Sequence, residues 1–265
     1  MIGSIFYSRH SIVEDHSKGI FDRAKAEELI NRQEELSDRF QIQSTLDVVA
    51  ETGEAMIKYL DFILDHYDKP FVLDGYIDAR VAGLKYAIEH GAVGRIIYNS
   101  INTMNTKDEM RLIENAGIRY AVVFCYDPSY TTPTRKFALL SSEAGREGLI
   151  GKAKRLGVKE VLIDVVPTDI KSLGEVIETL LLVKLAYPHP AGCGPANVSY
   201  YMAEHLKKEL GIRVLVSSVD SVAQLFSDFL FYGPIERSGI AFESAFIIEE
   251  VKEGLSVPLY KVMSR

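Results

Sequence analysis

The sequence predicts an α/β protein built as a single (β/α)8 barrel. Short apolar segments alternate with longer amphipathic segments along the whole chain, and glycines stand where several amphipathic segments end. The apolar segments are rich in Val, Ile, Tyr and Phe, which is typical of buried parallel strands. Eight strand–helix units within about 230 residues match the size of a closed parallel barrel. An open doubly wound sheet is the alternative, because sequence alone does not show closure.

The predicted strands are residues 2–7, 45–49, 70–73, 95–99, 119–125, 160–165, 184–189 and 213–217. The predicted helices are residues 23–39, 51–66, 80–90, 106–116, 146–156, 172–183, 197–210 and 219–230. Glycine favours helix C-termini because it adopts the left-handed conformation, and four predicted helices are followed by Gly91, Gly117, Gly157 and Gly211. One more helix and an extended stretch at 257–262 come last. We therefore expect a barrel over residues 1–236, with a C-terminal helix and tail, residues 237–265, packed on it.

The composition excludes several classes of protein. The chain carries 30 Lys and Arg against 37 Asp and Glu, a formal charge of −7, which argues against a nucleic-acid binder. Its longest uninterrupted apolar stretch, residues 120–126, is far shorter than the roughly 20 residues that span a bilayer. The first residues lack the pattern of a signal peptide. With only two cysteines, Cys125 and Cys193, we predict a reduced cytoplasmic protein without membrane insertion.

Common catalytic motifs are absent or weak. A proline ends the segment GCGP at 192–195 and breaks the dinucleotide-binding pattern. No Walker A lysine, nucleophile elbow or zinc-protease motif occurs. Cys193 has no evident His–Asn pair that would activate it as a nucleophile. His10, Asp15 and His16 lie close together in sequence and could bind a metal. An ordinary solvated loop is the favoured interpretation of this segment.

Polar side chains stand at the ends of the predicted strands, where the catalytic groups of parallel barrels lie. They are mainly carboxylates and carboxamides: Asp47, Asp74, Asn99, Asn102, Asp164 and Asn197. Asp oxygens accept hydrogen bonds and Asn both donates and accepts, so together they suit the edge of a planar heterocycle. A helix cap is the alternative role, which we favour for Ser218 and Asp220. Asp74 and Asp164 end apolar strands directly, ahead of the next helix, so for them we favour ligand binding.

Five segments carry a resemblance that extends over almost the whole chain. They read IGSIFYSRHSIVEDHSKGIFDRAKAEELI from residue 2, LDVVAETGEA from residue 46, KPFVLDG from residue 69, RIIYNSIN from residue 95 and LIDVVPTD from residue 162. These segments resemble the H subunit of tetrahydromethanopterin S-methyltransferase and its relatives, the methylcobalamin:tetrahydrofolate methyltransferases. That family is similar in turn to the pterin-binding barrels of methyltetrahydrofolate:corrinoid methyltransferases and dihydropteroate synthases.

The resemblance implies a pterin-binding barrel and assigns roles to particular residues. Asp74 after strand 3, Asn99 after strand 4 and Asp164 after strand 6 match the positions that bind the pterin. Asn197, in the glycine-rich segment after strand 7, matches a mobile asparagine that approaches N5 of the pterin. We therefore expect Asn197, Asp74 and Asp164 to be catalytic, and we add Asp47 and Asn102 of the same rim to the cofactor-binding set.

The resemblance also implies a reaction: methyl transfer between N5 of a reduced pterin and the cobalt of a corrinoid. The pterin is tetrahydromethanopterin or tetrahydrofolate, and a partner protein is expected to carry the corrinoid. Reduced cobalt is itself the nucleophile, in keeping with the lack of a nucleophilic motif. The partner is a corrinoid protein or other subunits of a methyltransferase complex, which leaves a position peripheral to a membrane complex open. The alternatives are a non-catalytic interaction subunit, a dihydropteroate-synthase-like enzyme and a metal-dependent barrel lyase.

We also expect a homodimer, because related barrels pair through helices on their outer surface. The predicted contacts are the apolar stretch 225–231 and the helix AFESAFII at 241–248. Both segments are rich in large apolar side chains, which a dimer interface would bury.

Overall fold

The structure is a computed structural model that describes residues 1–142, 145–206 and 211–255. Its strands are β1 (Ile2–Ile5), β2 (Val13–Asp15), β3 (Ile20–Phe21), β4 (Thr45–Ala50), β5 (Phe71–Gly75), β6 (Ile96–Ile101), β7 (Tyr120–Phe124), β8 (Glu160–Asp164), β9 (Ala191–Cys193) and β10 (Phe229–Pro234). Strands β2 and β3 form a small antiparallel sheet beside the first barrel strand.

The other eight strands close into a barrel in the order β1-β10-β9-β8-β7-β6-β5-β4. All neighbouring pairs are parallel, including β1 with β4 and β1 with β10, which close the ring. The (β/α)8 barrel is therefore confirmed, and the open doubly wound sheet is excluded by the closing pairs.

Helices surround the barrel. They are α1 (Arg23–Phe40), α2 (Gly53–His66), α3 (Ile77–Glu89), α4 (Lys107–Ala116), α5 (Pro133–Leu140), α6 (Leu149–Arg155), α7 (Ile170–Ala186), α8 (Ala196–Leu206), α9 (Ile212–Gln224) and α10 (Ser238–Glu253). Side chains cap several of them: Asp169, for example, accepts from the Ser172 backbone N–H at the start of α7. Because Asp169 caps this helix, Asp164 at the end of β8 is not needed as a cap.

The last described helix, α10, follows β10 and packs against α1 and α9. The division of the chain at residue 236 stays a prediction. The extended stretch expected at 257–262 lies outside the described residues. Among the described residues, no helix is both long and apolar enough to cross a lipid bilayer.

Two predicted strands are wrong. Residues 184–189 contain the end of α7 and the connection after it, and residues 213–217 lie inside α9. The seventh barrel strand is β9, which contains only Ala, Gly and Cys and so lacks the residues that signal a strand. Its glycine serves packing, since a Cβ on Gly192 would lie 2.1 Å from the Phe229 carbonyl oxygen. The eighth strand, β10, begins inside the segment predicted as helix 219–230.

The barrel interior is filled by apolar side chains below its mouth. One layer consists of Ile2, Val72, Val122 and Phe231, against which Ile97, Leu162 and Phe229 pack. The barrel is therefore a packed core closed to passage, as parallel barrels of this size are. A cavity of about 910 Å³ lies at the opposite end, lined by residues at the strand starts such as Thr45, Pro70 and Asp228.

Candidate functional site

Polar side chains line the mouth of the barrel because strand residues two apart point to the same side. Asp74 follows the interior residue Val72 by two positions on β5, and Asp164 follows Leu162 in the same way on β8. By the same spacing, polar side chains stand one step above the apolar interior at Ser4, Asp74, Asn99 and Asp164. Alternation along the strands therefore explains why these predicted site residues converge on one opening.

Asp47 on β4 is the most deeply buried carboxyl of this group, with 4 % of the residue exposed. Its Oδ2 accepts a hydrogen bond from the Ser4 hydroxyl at 2.7 Å, whereas its Oδ1 has no partner among the described residues. Burial raises the pKa of Asp47 well above its usual range, and the nearby Asp74 and Asp164 charges add to this rise against the Ser4 hydrogen bond. Asp47 is therefore protonated under conditions in which an exposed aspartate is ionised.

The pKa values of Asp74 and Asp164 are raised to near neutral pH. Burial raises the pKa of Asp74 to about 6, although the Gly75 backbone N–H, at 2.6 Å from Oδ1, and the Arg80 charge oppose the rise. Burial and the Asp74 charge raise the pKa of Asp164 to about 7. The Oδ1 atom of Asp164 is buried and, within the described ranges, unpaired. Near neutral pH the three aspartates therefore offer both hydrogen-bond donors and acceptors.

Asn99, within strand β6, and Asn102, directly after it, differ in what their side chains do. Asn99 is half-buried and lies on the same face of β6 as the interior residue Ile97. The Asn102 carboxamide shapes its own loop: Nδ2 donates to the Ser100 hydroxyl at 3.1 Å, and Oδ1 accepts from the Met104 N–H at 2.7 Å. Asn99 thus joins the mouth, whereas the ligand-binding role of Asn102 stays a prediction with less support from its contacts.

The segment that contains Asn197 differs from the expected mobile loop. Ala191–Cys193 is strand β9, and helix α8 begins at Ala196, so only two residues connect them. Asn197 is the second residue of α8 and is exposed. Because α8 starts directly after the C-terminal end of β9, Asn197 stands at the mouth end of the barrel. Its predicted role near N5 stays a prediction, but it would be played from a helix terminus.

A second cluster at the mouth was missed by sequence reasoning. Glu236 follows β10 in a 3-10 turn, and its Oε1 lies 3.0 Å from Nε2 of His10 and 3.1 Å from the Tyr7 hydroxyl. The other ring nitrogen of His10 accepts from the Phe6 N–H at 2.9 Å, and the Tyr7 ring stacks on the His10 ring. His10 is thus a buried structural partner of Glu236, and the described residues contain no group of three or more metal-binding side chains.

The ionisation of Glu236 is opposite to that of the aspartates. Burial by itself raises the pKa of Glu236, but hydrogen bonds from His10, from its own backbone N–H and from Tyr7 outweigh burial and lower it. Burial and the Glu236 charge in turn raise the pKa of Tyr7 above its usual range. The signal was hidden because the eighth strand was predicted at 213–217 and the start of β10 as the end of helix 219–230, so no strand end was predicted ahead of Glu236.

Three further predictions fall on α9 and β9. Ser218 and Asp220 are not caps: α9 begins after Gly211, and both residues lie in its interior. Asp220 is fully buried, and burial raises its pKa to about 7, against the charge of Arg237. Cys193 is also fully buried, and burial raises the pKa of its thiol, which is unfavourable for a nucleophile.

Comparison with solved structures defines the class of fold. The chain is similar to a dihydropteroate synthase from Coxiella burnetii in complex with pteroic acid, with a TM-score of 0.64 and 14 % identity over 94 % of this chain and 91 % of that one. It is also similar to the Yersinia pestis dihydropteroate synthase, with a TM-score of 0.63 and 11 % identity over 96 % and 93 % of the two chains. The chain thus has the (β/α)8 architecture of these pterin-binding barrels.

The family is established at the level of sequence. The family model of the tetrahydromethanopterin S-methyltransferase MtrH subunit matches residues 1–255, and the chain belongs to this family. The H subunit of tetrahydromethanopterin S-methyltransferase from Methanothermobacter marburgensis is 35 % identical, over 96 % of this chain and 86 % of the relative. The corresponding protein of Methanocaldococcus jannaschii is 31 % identical, over 95 % and 84 %. That of Methanococcus maripaludis strain S2 is 32 % identical, over 97 % and 88 %.

The family finding confirms the resemblance inferred from the five segments. The chain is homologous to methyltransferase subunits of this family along nearly its full length.

Proposed function

We propose that this protein transfers a methyl group between N5 of a reduced pterin and the cobalt of a corrinoid. Its membership of the MtrH family supports the reaction class. The observation on which the residue assignment rests is the group of three aspartates at the barrel mouth, the buried Asp47 and Asp164 and the half-buried Asp74. Asp47 and Asp164 each have a buried oxygen that is unpaired within the described ranges.

The unpaired oxygens suit the edge of a pterin ring. A buried polar atom without a partner costs about 1–3 kcal/mol, and this cost is relieved by a ligand that supplies the missing hydrogen bond. A pterin presents ring and amino N–H donors beside acceptor nitrogens and an oxygen, so it needs both acceptors and donors. Burial holds the pKa of Asp47 well above its usual range and so favours its protonated, donating form, whereas Asp74 and Asp164 change between the two roles close to neutral pH.

The chain's own residues have two tasks in this reaction. Asp74, Asp164 and Asn99 hold and orient the pterin ring. A donor must also reach N5, because an amine nitrogen is a poor leaving group unless it gains a proton or a strong hydrogen bond. We assign this donor to Asn197, with a protonated Asp164 as the alternative. When bound, a corrinoid would supply the cobalt, which accepts the methyl group in its reduced state and returns it from its methylated state.

The proposal includes a partner, because the family is that of one subunit of a larger methyltransferase. We propose that a corrinoid protein or another subunit of a methyltransferase complex presents the corrinoid to the mouth. The protein would act in the cytoplasm, free or at the periphery of such a complex. The family match favours methyl transfer over a non-catalytic subunit or a dihydropteroate-synthase-like reaction.

We further propose a homodimer that forms through α10. Phe246, Ile247 and Val251 are exposed on this helix. The other predicted contact, residues 225–231, is wrong, because Leu230 and Phe231 are buried in β10. Light scattering at micromolar concentration should show the mass of two chains, and Ile247→Asp should reduce it to that of one chain. A single-chain mass for the parent protein would contradict the dimer.

Binding of reduced pterins, measured by calorimetry, tests the proposed function. We expect tetrahydromethanopterin or tetrahydrofolate to bind, and Asp164→Asn to weaken binding by about 10-fold, the scale of one hydrogen bond to a charged group. Asp65→Asn, on the exposed surface of α2, is the matched control and should bind like the parent. Comparison of the two pterins decides between them. The proposal fails if neither pterin binds or if Asp164→Asn binds as tightly as the parent.

A further inference from the structure

A single glycine connects Asp74 to a buried network of charged side chains. The Gly75 N–H donates to Oδ1 of Asp74 at 2.6 Å, and the Gly75 carbonyl accepts from Nη1 of Arg80 at 2.5 Å. Gly75 has a φ of +130°, and a Cβ at this position would lie 2.1 Å from the Ala50 carbonyl oxygen. Only glycine suits this geometry, so both of its backbone groups are held in fixed directions.

Arg80 is itself held from the other side. Its Nη2 and Nε donate to the same oxygen of Glu109, Oε1, at 2.7 and 3.2 Å. The Tyr98 hydroxyl donates to that oxygen at 2.6 Å. Glu109 is buried and belongs to the capping box at the start of α4, where its backbone N–H binds the Thr106 hydroxyl. The guanidinium therefore joins the end of β5 to the start of α4.

We infer that Arg80 is a positioning residue for Asp74: by fixing Gly75, with Glu109 and Tyr98 as its buried support, it sets the direction in which Asp74 faces the mouth. The inference deepens the proposed function and rests on it for the ligand that Asp74 meets. Arg80 does not touch Asp74, so it acts through the Gly75 backbone and through its charge.

The charge of Arg80 has a second effect on the same carboxyl. Asp74 faces Asp47 from β4, Asp164 from β8 and the guanidinium of Arg80 from α3. Arg80 is the one cation among these three neighbours, and it opposes the rise in the pKa of Asp74 that burial causes. Without Arg80, Asp74 would hold its proton to higher pH.

Arginine is suited to this role in a way that lysine is not. The planar guanidinium donates in two directions at once, to the Gly75 carbonyl and to the Glu109 carboxylate. An ammonium group is a single point that cannot reach both. Arg80→Lys thus keeps the charge and removes the connection, which separates positioning from electrostatics.

The test compares Arg80→Lys with Arg95→Lys. Arg95 also donates to backbone carbonyls, those of Tyr67 and Lys69, but it does so at the opposite end of β5 from Asp74. In the ligand-free protein, the NMR signals of the Gly75 amide and the Asp74 carboxyl, assigned with Asp74→Asn, report on the connection directly. We expect Arg80→Lys to shift both signals and to weaken binding of the reduced pterin by about 10-fold. Arg95→Lys should leave both NMR signals and the pterin affinity unchanged.

A second variant covers the case in which Arg80→Lys fails to fold. Arg80→Met combined with Glu109→Met removes both members of the buried pair and leaves no unpaired charge, a change that proteins often tolerate. In this double variant the Gly75 amide and Asp74 carboxyl signals should shift as in Arg80→Lys, because the guanidinium no longer holds the Gly75 carbonyl.

The outcomes are distinct for the two proposals. Arg80 has no positioning role if folded Arg80→Lys, or the double variant where Arg80→Lys fails to fold, leaves the Gly75 and Asp74 signals at their parent positions. If both NMR changes occur but the parent protein binds no reduced pterin, the connection stands and the proposed function fails.

Discussion

The barrel mouth holds two kinds of carboxyl group that differ in the hydrogen bonds they receive. Asp47 and Asp74 each receive one hydrogen bond, from Ser4 and from the Gly75 N–H. Glu236 receives hydrogen bonds from His10, from Tyr7 and from its own backbone. Burial acts on both kinds, yet the pKa values of the aspartates are raised and that of Glu236 is lowered.

The difference teaches that the number of donors, together with the greater exposure of Glu236, decides the ionisation of these acids. Three mutually repelling carboxyls with few donors share protons near neutral pH. One carboxyl with several donors stays ionised there. The mouth therefore combines two sets of acids. The titratable side consists of Asp47, Asp74 and Asp164 on β4, β5 and β8, and the charged side consists of Glu236, which lies between β10 and β1 and is ionised at neutral pH. Three predictions test this contrast.

The largest expected effect concerns the donor for N5. If Asn197 supplies it, Asn197→Ala should lower the methyl-transfer rate by about 10²-fold, the scale of one preorganised donor. Pterin affinity should fall much less, because the hydrogen bond strengthens as the methyl group leaves. Single-turnover methyl transfer to reduced cobalt, followed by absorbance, measures the rate. If the variant transfers the methyl group at the parent's rate, Asn197 is not the donor. Asp164 is then the first candidate, and Asn99 and Asn102 are the next.

The second effect is on stability. The folded pKa of Asp164 is raised to about 7, so the native state holds a proton that the unfolded chain has already lost. The stability from this group is complete at acid pH and is lost as pH rises through about 7. The free energy of unfolding of the parent should fall between about pH 5 and pH 7. In Asp164→Asn this fall should be smaller by about 2 kcal/mol. Urea unfolding at several pH values measures it.

Asp65→Asn, on the exposed surface of α2, is again the matched control and should keep the parent's pH dependence. If the slope of stability against pH is the same in Asp164→Asn as in the parent, Asp164 does not carry the shared proton.

The smallest effect concerns the charged side of the mouth. Tyr7→Phe removes one hydrogen bond to Glu236 and should lower the free energy of unfolding by about 1 kcal/mol at neutral pH. Because the pKa of Glu236 is lowered by its donors, the stability they supply is present above about pH 5 and is lost as Glu236 is protonated at lower pH. The effect of Tyr7→Phe should therefore shrink in acid.

Tyr59→Phe is the control for this prediction. Tyr59 stacks on Phe6, the residue before Tyr7, but its buried hydroxyl has no hydrogen-bond partner in the part of the chain that the structure describes. Its removal should leave stability unchanged or raise it. Equal losses in Tyr7→Phe and Tyr59→Phe would mean that the hydrogen bond to Glu236 adds nothing.

Local sequence was sufficient for the first six barrel strands, β1 and β4–β8, and for the polar residues at their ends. Each of these strands lies in a segment rich in Val, Ile, Leu, Phe or Tyr, which predicts a strand from local sequence. Asp74, Asn99 and Asp164 stand at or near the ends of three of them. The period of two along a strand then places these side chains on the interior face. Asp47, Asp74, Asn99 and Asp164 were predicted for this reason, from the strand ends alone.

The last quarter of the barrel was decided by tertiary structure. β9 is three small residues whose strand conformation comes from pairing with β8 and β10, and the start of β10 has no local feature that separates it from the preceding helix. Once β10 is placed, Glu236 meets His10 and Tyr7 from the other end of the chain. The sequence by itself determined which polar groups the mouth contains on its titratable side. Closure of the ring decided which other groups join them, and burial and hydrogen bonding decided which are charged, because both depend on neighbours distant in sequence.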